Sequence, residues 1–220
     1  AGELNSMENN CFNRCNSLIS FNIPSSISII NEGCFWSCSS LTKITIPENI
    51  CEIKEYCFNG CYSLREVDFQ TTSLTKIGSK CFEQCQSLQT IKLPSTVESI
   101  GSYCFGYCKS LESIKIPDKV NSLLEYCFYE CPLLKSITIP GNVKSLGDNC
   151  FQSCTHLNSV VIEFGLETIG QRCFFTCTSL ESISFPESVT SIGNYCFLRC
   201  NALKSISSKS SVISLGVKCF

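Results

Sequence analysis

Nine times along the chain, two cysteines stand four residues apart with phenylalanine directly after the first: CFNRC at 11, CFWSC at 34, CFNGC at 57, CFEQC at 81, CFGYC at 104, CFYEC at 127, CFQSC at 150, CFFTC at 173 and CFLRC at 196. A last Cys-Phe closes the chain at Cys219 and Phe220. Cysteines so spaced serve three kinds of chemistry. Structural zinc takes C-x(2–4)-C pairs, facing thiols form disulfides, and a thiolate beside a base is a nucleophile. Zinc needs two pairs at a defined separation, whereas these pairs all share one phase. A disulfide within a pair would join Cβ vectors that run nearly parallel on one turn. Between neighbouring repeats, a Cα separation of about 5 Å falls inside the permitted range. Thiol catalysis lacks its base, because the only histidine, His156, occupies a slot that serine fills at Ser63, Ser87, Ser110 and Ser179. The sequence therefore points to packing, since free cysteine buries as a small apolar group. No catalytic, cofactor or metal site is assigned. Cys51 falls outside the lattice and is the first thiol expected to react.

The spacing that weakens a catalytic role dictates the architecture. The first cysteine of each cluster recurs every 23 residues, except for a step of 24 between Cys57 and Cys81. A fixed period of that size marks a solenoid in which each repeat forms one coil. In the unit CFGYCKSLESIKIPDKVNSLLEY, Leu111, Ile114 and Ile116 form an apolar set that ends at Pro117. The I-x-I alternation predicts a short strand with both isoleucines inward, and proline ends it by removing a ladder donor. A second apolar column follows at Ile27, Ile50, Val97, Val120, Val143 and Val189, and a third at Ile30, Ile53, Ile77, Ile100, Leu123, Leu146, Ile169, Ile192 and Leu215. Gly78, Gly101, Gly147, Gly170, Gly193 and Gly216 come next, where a tight turn with positive φ is expected. C-F-x-x-C then supplies one helical turn. The expected fold is α/β: a right-handed solenoid with a parallel sheet on one face and short helical turns on the other. Phe12, Phe35, Phe58, Phe82, Phe105, Phe128, Phe151, Phe174, Phe197 and Phe220 should stack at about 4.8 Å per coil into one aromatic spine.

The frame L-x-x-I-x-I-P-x-x-V-x-x-I-G-x-x-C-F-x-x-C resembles the BspA-like leucine-rich repeat family, found in mucosa-associated bacteria and parasitic protists. The resemblance covers residues 11–220 and departs from the pattern in one respect: the small residue before phenylalanine, commonly alanine there, is cysteine in every copy here. It implies the leucine-rich repeat solenoid and a cell-surface or secreted protein that attaches to host cells, matrix proteins or other microbes. Residues 1–10 read as an added or partial-repeat N-terminal segment, with Met7 the first natural residue if AGELNS is artificial. The chain stops midway through a repeat, which reads as a piece of a longer array whose uncapped ends could self-associate end to end.

Bulk properties narrow the partners. A formal net charge of −2 and 16% charged residues argue against nucleic acid, which needs a basic face. No apolar run approaches the ~18 residues of a membrane span, and no signal peptide is visible. Phosphate-binding glycine loops, nucleophile motifs and histidine clusters are missing, so an enzyme is not expected. Proteins remain as partners. The outward strand columns are small and polar, running from Ser20, Lys43 and Glu66 to Ser205, and from Asn22, Thr45 and Asp68 to Ser207. The turn side is more varied, with Trp36, Tyr129, Phe175 and Leu198 after Cys-Phe and Tyr56, Tyr103, Tyr126 and Tyr195 before it. These eight residues are the candidate protein-binding ridge, since exposed aromatics anchor interfaces. Two irregularities stand apart: Gln70 replaces proline beside the inserted residue in DFQTTSLTKIG, and Glu163 replaces it in VIEFGLETIG. Each is either a bend or a partner's seat. The alternative function is an intracellular interaction scaffold in the cytoplasm, favoured by cysteines that look reduced, by the missing signal and by the lack of an N-x-[ST] acceptor; a third is a structural spacer.

Overall fold

The computed structural model describes residues 5–209 and 214–220. Each coil contributes two short strands, so that Lys43–Ile46 and Glu52–Ile53 belong to one coil and Glu66–Phe69 and Lys76–Ile77 to the next. Both strands stack in parallel on their equivalents one coil away, Ile44 opposite Val67 and Ile53 opposite Ile77. The first set of strands forms at the I-x-I alternation and ends before proline, as in Ser136–Ile139 before Pro140. The second set forms at the third apolar column. Sequence periodicity located that column without showing that it is a strand, because two residues are too few to display a period of two.

The C-F-x-x-C segments are not helical, and the described residues contain no helix. This corrects the expectation of short helical turns. Two residues in each segment, the one before the first cysteine and the one before the second, lie in the left-handed region. Tyr103 (φ 57°) and Tyr107 (φ 59°) are one such pair. Alternate peptides are thereby turned out of the helical direction. Phe105 N–H donates to the carbonyl of Cys127 in the next coil at 2.9 Å, and Tyr107 N–H to that of Tyr129 at 2.7 Å. The intervening N–H groups close local turns, Gly106 onto the Tyr103 carbonyl and Cys108 onto that of Phe105. A helix would satisfy these groups within one coil; here they tie neighbouring coils together, which offsets the cost of left-handed non-glycine residues, about 1–2 kcal/mol each.

The glycines after the third column also differ from expectation. Among the described residues the left-handed glycines are Gly33, Gly60 and Gly165, and the six predicted positions do not have positive φ. Their role is close approach: a Cβ on Gly147 would lie 2.5 Å from the Leu124 carbonyl carbon and 2.9 Å from the Glu125 Cα of the preceding coil.

The core is one continuous column of buried residues along the solenoid axis. Ring centroids in the phenylalanine spine are 5.2 to 5.6 Å apart from Phe12 to Phe220, with interplanar angles of 10° or less. Met7, buried, occupies the third-column position one coil before Ile30, and its carbonyl accepts from Asn31 Nδ2 at 2.8 Å. Met7 thus packs where the third-column residue of a preceding coil would stand, while residues 8–10 are exposed.

The extra residue of the 24-residue step is absorbed by a buried threonine. Thr71 Oγ1 donates to the Ile50 carbonyl at 2.8 Å and accepts from Ser73 N–H. The second ladder runs past this point unbroken, but the first does not. Glu66–Phe69 pairs with the preceding coil and not with Thr90–Ile91. The first ladder is interrupted again between Ser113–Ile114 and Ser136–Ile139, and between Ser159–Ile162 and Ser182–Phe185.

Candidate protein-interaction surfaces

The cysteines are free thiols, and all but Cys11, Cys15 and Cys51 are buried. They form two files along the core, and the second file has a role that the sequence did not disclose. Each of its thiols donates to the carbonyl of the spine phenylalanine in the preceding coil, from Cys38 on Phe12 to Cys200 on Phe174, at 3.1 to 3.3 Å. That carbonyl already accepts the N–H of its own coil's second cysteine, as Phe105 does from Cys108 at 3.3 Å. The thiol therefore supplies the second donor to an oxygen sealed from water. Alanine would fill the space without donating, and serine would carry a more polar group into an apolar core. The only signal in the sequence was the invariance of the second cysteine.

Burial pushes the Cys108 and Cys154 thiols up to about 12, because the thiolate would be desolvated. Desolvation, reinforced by neighbouring cysteines, raises Cys104, Cys127, Cys150 and Cys173 as well. A protonated thiol is a poor nucleophile and a poor metal ligand. At one end Cys11 Sγ approaches Cys34 Sγ at 3.6 Å. Cys51 is exposed and donates to the Ser28 carbonyl at 3.3 Å. His156, also exposed, places Nδ1 2.7 Å from the Pro132 carbonyl. Among the described residues, no group of three or more His, Cys, Asp or Glu is placed to hold a metal ion, and no helix is long and apolar enough to cross a membrane.

The turn-side aromatics form two groups in ring contact, with Phe175 and Tyr195 each covered by an arginine, rather than one ridge. Tyr103 and Tyr126 stack at 4.3 Å, and Tyr129 meets Tyr126 and Tyr107 edge-on at 5.4 and 5.1 Å. Burial and its neighbours hold the Tyr103 and Tyr129 phenols up to about 12. Trp36, 36% exposed, leans on Tyr56 at 5.7 Å, and Lys80 Nζ sits between Tyr56 and Tyr103 at 5.4 and 5.2 Å from their centroids. Further along, Arg199 lies over Phe175 and Arg172 over Tyr195; Leu198 is half-buried beside them. Most of these rings spend a face on a neighbouring coil. Beneath the first group lies a buried carboxyl: Glu83 accepts from Asn59 Nδ2 at 2.6 Å, and burial raises it above the usual carboxylate value.

On the strand side, ion pairs bridge adjacent coils. Lys43 meets Glu66 and Lys135 meets Glu112, both at 2.6 Å, and Lys204 meets Glu181 at 3.0 Å. All are well exposed, so they set local order more than stability. Two cavities open at the irregular coils, one of about 450 Å³ beside Phe69 and one of about 540 Å³ beside Phe185.

Comparison with known proteins accounts for this arrangement. The model of the BspA type leucine rich repeat region matches residues 5–135 and 122–220, with six copies. No curated protein matches the chain. A leucine-rich repeat protein from Bacteroides ovatus has a solved structure that is 26% identical, with a TM-score of 0.69 over 97% of this chain and 66% of its own, so the chain spans just under two-thirds of that relative's length. The Treponema pallidum leucine rich repeat protein is 33% identical, with a TM-score of 0.63 over 68% of this chain and 69% of its own. A leucine rich cell surface protein from Faecalibacterium prausnitzii shares the fold at 24% identity, with a TM-score of 0.52 over 92% of this chain and 69% of its own. With a family model that spans nearly the whole chain, this protein belongs to the BspA type leucine-rich repeat family.

Proposed function

We propose that this chain is a non-enzymatic, protein-binding repeat domain of a cell-surface protein that attaches to host-cell or matrix proteins. The observation that carries this is the uninterrupted phenylalanine spine. It supports a stiff array that presents surface residues at one-coil intervals, and such an array gains affinity by engaging many weak contacts together. The family resemblance supports the surface placement. The exposed edge of Trp36, with Tyr129 and Phe175, is the first surface to test. Replacing all three with serine should abolish capture of immobilised matrix proteins by a protein that still unfolds cooperatively, with the melting transition lowered by the lost ring contacts. Capture should also rise with the number of coils. Equal binding per mole by full-length and three-coil arrays would defeat the multivalent account.

A second reading, an intracellular interaction scaffold, is favoured by the free thiols, since secreted proteins commonly oxidise paired cysteines. Labelling intact source cells with an impermeant biotin reagent separates the two. Labelling supports the surface placement; detection only after lysis supports the scaffold.

A further inference from the structure

We propose that the turn side of the coils of Cys173 and Cys196 holds a binding site for a carboxylate side chain of a partner protein, seated beside an apolar residue of that partner. It rests on the protein-binding reading above and shares its Phe175. Arg172 and Arg199 build the site from neighbouring coils. Arg172 reaches forward over the Tyr195 ring, 5.4 Å from its centroid, and Arg199 reaches back over Phe175 at 5.7 Å. The two guanidiniums thus flank one two-coil patch, with Leu198 in line with Phe175 one coil on. Both arginines are exposed, and Phe175, Tyr195 and Leu198 are each partly exposed beside them. Ion pairs among the described residues all use lysine, so neither guanidinium has a carboxylate of its own there. Stacking on a ring orders each side chain while leaving its N–H fork free.

The surrounding charge is lopsided and local. On the turn side, residues 148–155, 171–178, 194–201 and 217–220 carry Arg172, Arg199 and Lys218 against the one side-chain carboxylate of Asp148. Asp148 Oδ1 is already engaged, accepting from Gln171 N–H at 2.8 Å. The basic patch also ends abruptly. Residues 125–132 present Glu125 and Glu130 and no cation, two coils or about 10 Å before Arg172. A polyanion laid along this side would run onto those carboxylates, which disfavours sulfated polysaccharide and nucleic acid. A single carboxylate fits, because a guanidinium fork grips a planar carboxylate through paired N–H donors. Phe175, Tyr195 and Leu198 add an apolar floor that a free anion would leave uncovered. The anion therefore arrives on a protein side chain with an aliphatic or aromatic neighbour to cover that floor.

The test is an NMR titration of the 220-residue protein, isotope-labelled on arginine, with the peptide acetyl-Leu-Glu-Leu amide and its glutamine counterpart as the uncharged control. The Arg172 and Arg199 Nε–H signals should shift saturably with the glutamate peptide and stay still with the glutamine one. Arg172→Lys and Arg199→Lys keep the charge but lose the fork, so each should weaken binding by about fivefold or more. Trp36→Ser should leave it unaltered. Both arginines are exposed, and a retained cooperative melt verifies that each variant is folded. Signals that ignore the glutamate peptide, in a protein that still captures matrix proteins, would overturn the site and leave protein binding intact. Lysine variants that bind as tightly as the parent would overturn it by reducing the site to bare charge. Shifts produced by a heparin oligosaccharide and not by the peptide would overturn it too, assigning the arginines to a polyanion. Saturable peptide binding with no matrix protein captured would support the site and defeat only the choice of matrix target.

Discussion

If the thiol files are sealed core donors, the folded protein should react with a disulfide reagent such as DTNB at three cysteines. Cys11, Cys15 and Cys51 are exposed, and the other cysteines of the twenty are buried. The attacking species is the thiolate. At pH 8 a thiol at the ordinary value of 9.0 is about 9% ionised, whereas one held near 12 is about 0.01% ionised, a difference of about a thousandfold before steric exclusion is counted. Cys108 and Cys154 are of this kind. Cys38, Cys200 and Cys219, nearer the ends of the array and pushed up to about 11, should form an intermediate class. A stopped-flow titration in native buffer should show three equivalents in a fast phase. The remainder should follow slowly at a rate that increases with sub-denaturing guanidinium, because it proceeds through local opening. Cys51→Ser should remove one fast equivalent. A fourth or fifth thiol in the fast phase, or a slow phase indifferent to denaturant, would refute the sealed files.

Removing one thiol donor tests its structural role directly: Cys131→Ala deletes the bond to the Phe105 carbonyl at 3.1 Å and should cost about 1–2 kcal/mol in denaturant unfolding. Glu83→Gln keeps the acceptor for Asn59 and removes a buried charge. Burial raises the folded carboxyl above its usual 4.5, so the group's stabilising contribution is complete below that pH and is lost as pH rises through the folded value. The variant should therefore be more stable than the parent at pH 7 and equal to it at pH 4, as judged by thermal unfolding at the two pH values.

The period, the parallel strand before proline, the apolar columns and the phenylalanine spine were all legible in the sequence. Repeated copies within one chain reveal which positions must be buried, because a residue that recurs in phase meets its own equivalent in the next coil. The packing role of the cysteines followed from the same phase. The two irregular stretches were also visible as departures from the frame.

Three features were decided only by the tertiary structure. Tyr103 and Tyr107 turn alternate peptides toward the next coil, and no local propensity announces this, since the compensating hydrogen bonds are made 22 residues away. The glycine at Gly147 answers to the backbone of the coil before it, a constraint of stacking and not of its own φ. The thiol of Cys131 has its acceptor on Phe105, so an invariant cysteine looked like a small apolar group until its neighbour was in place. A sequence records which side chains recur along the chain. Which backbone groups face one another across coils is settled when the coils close and stack.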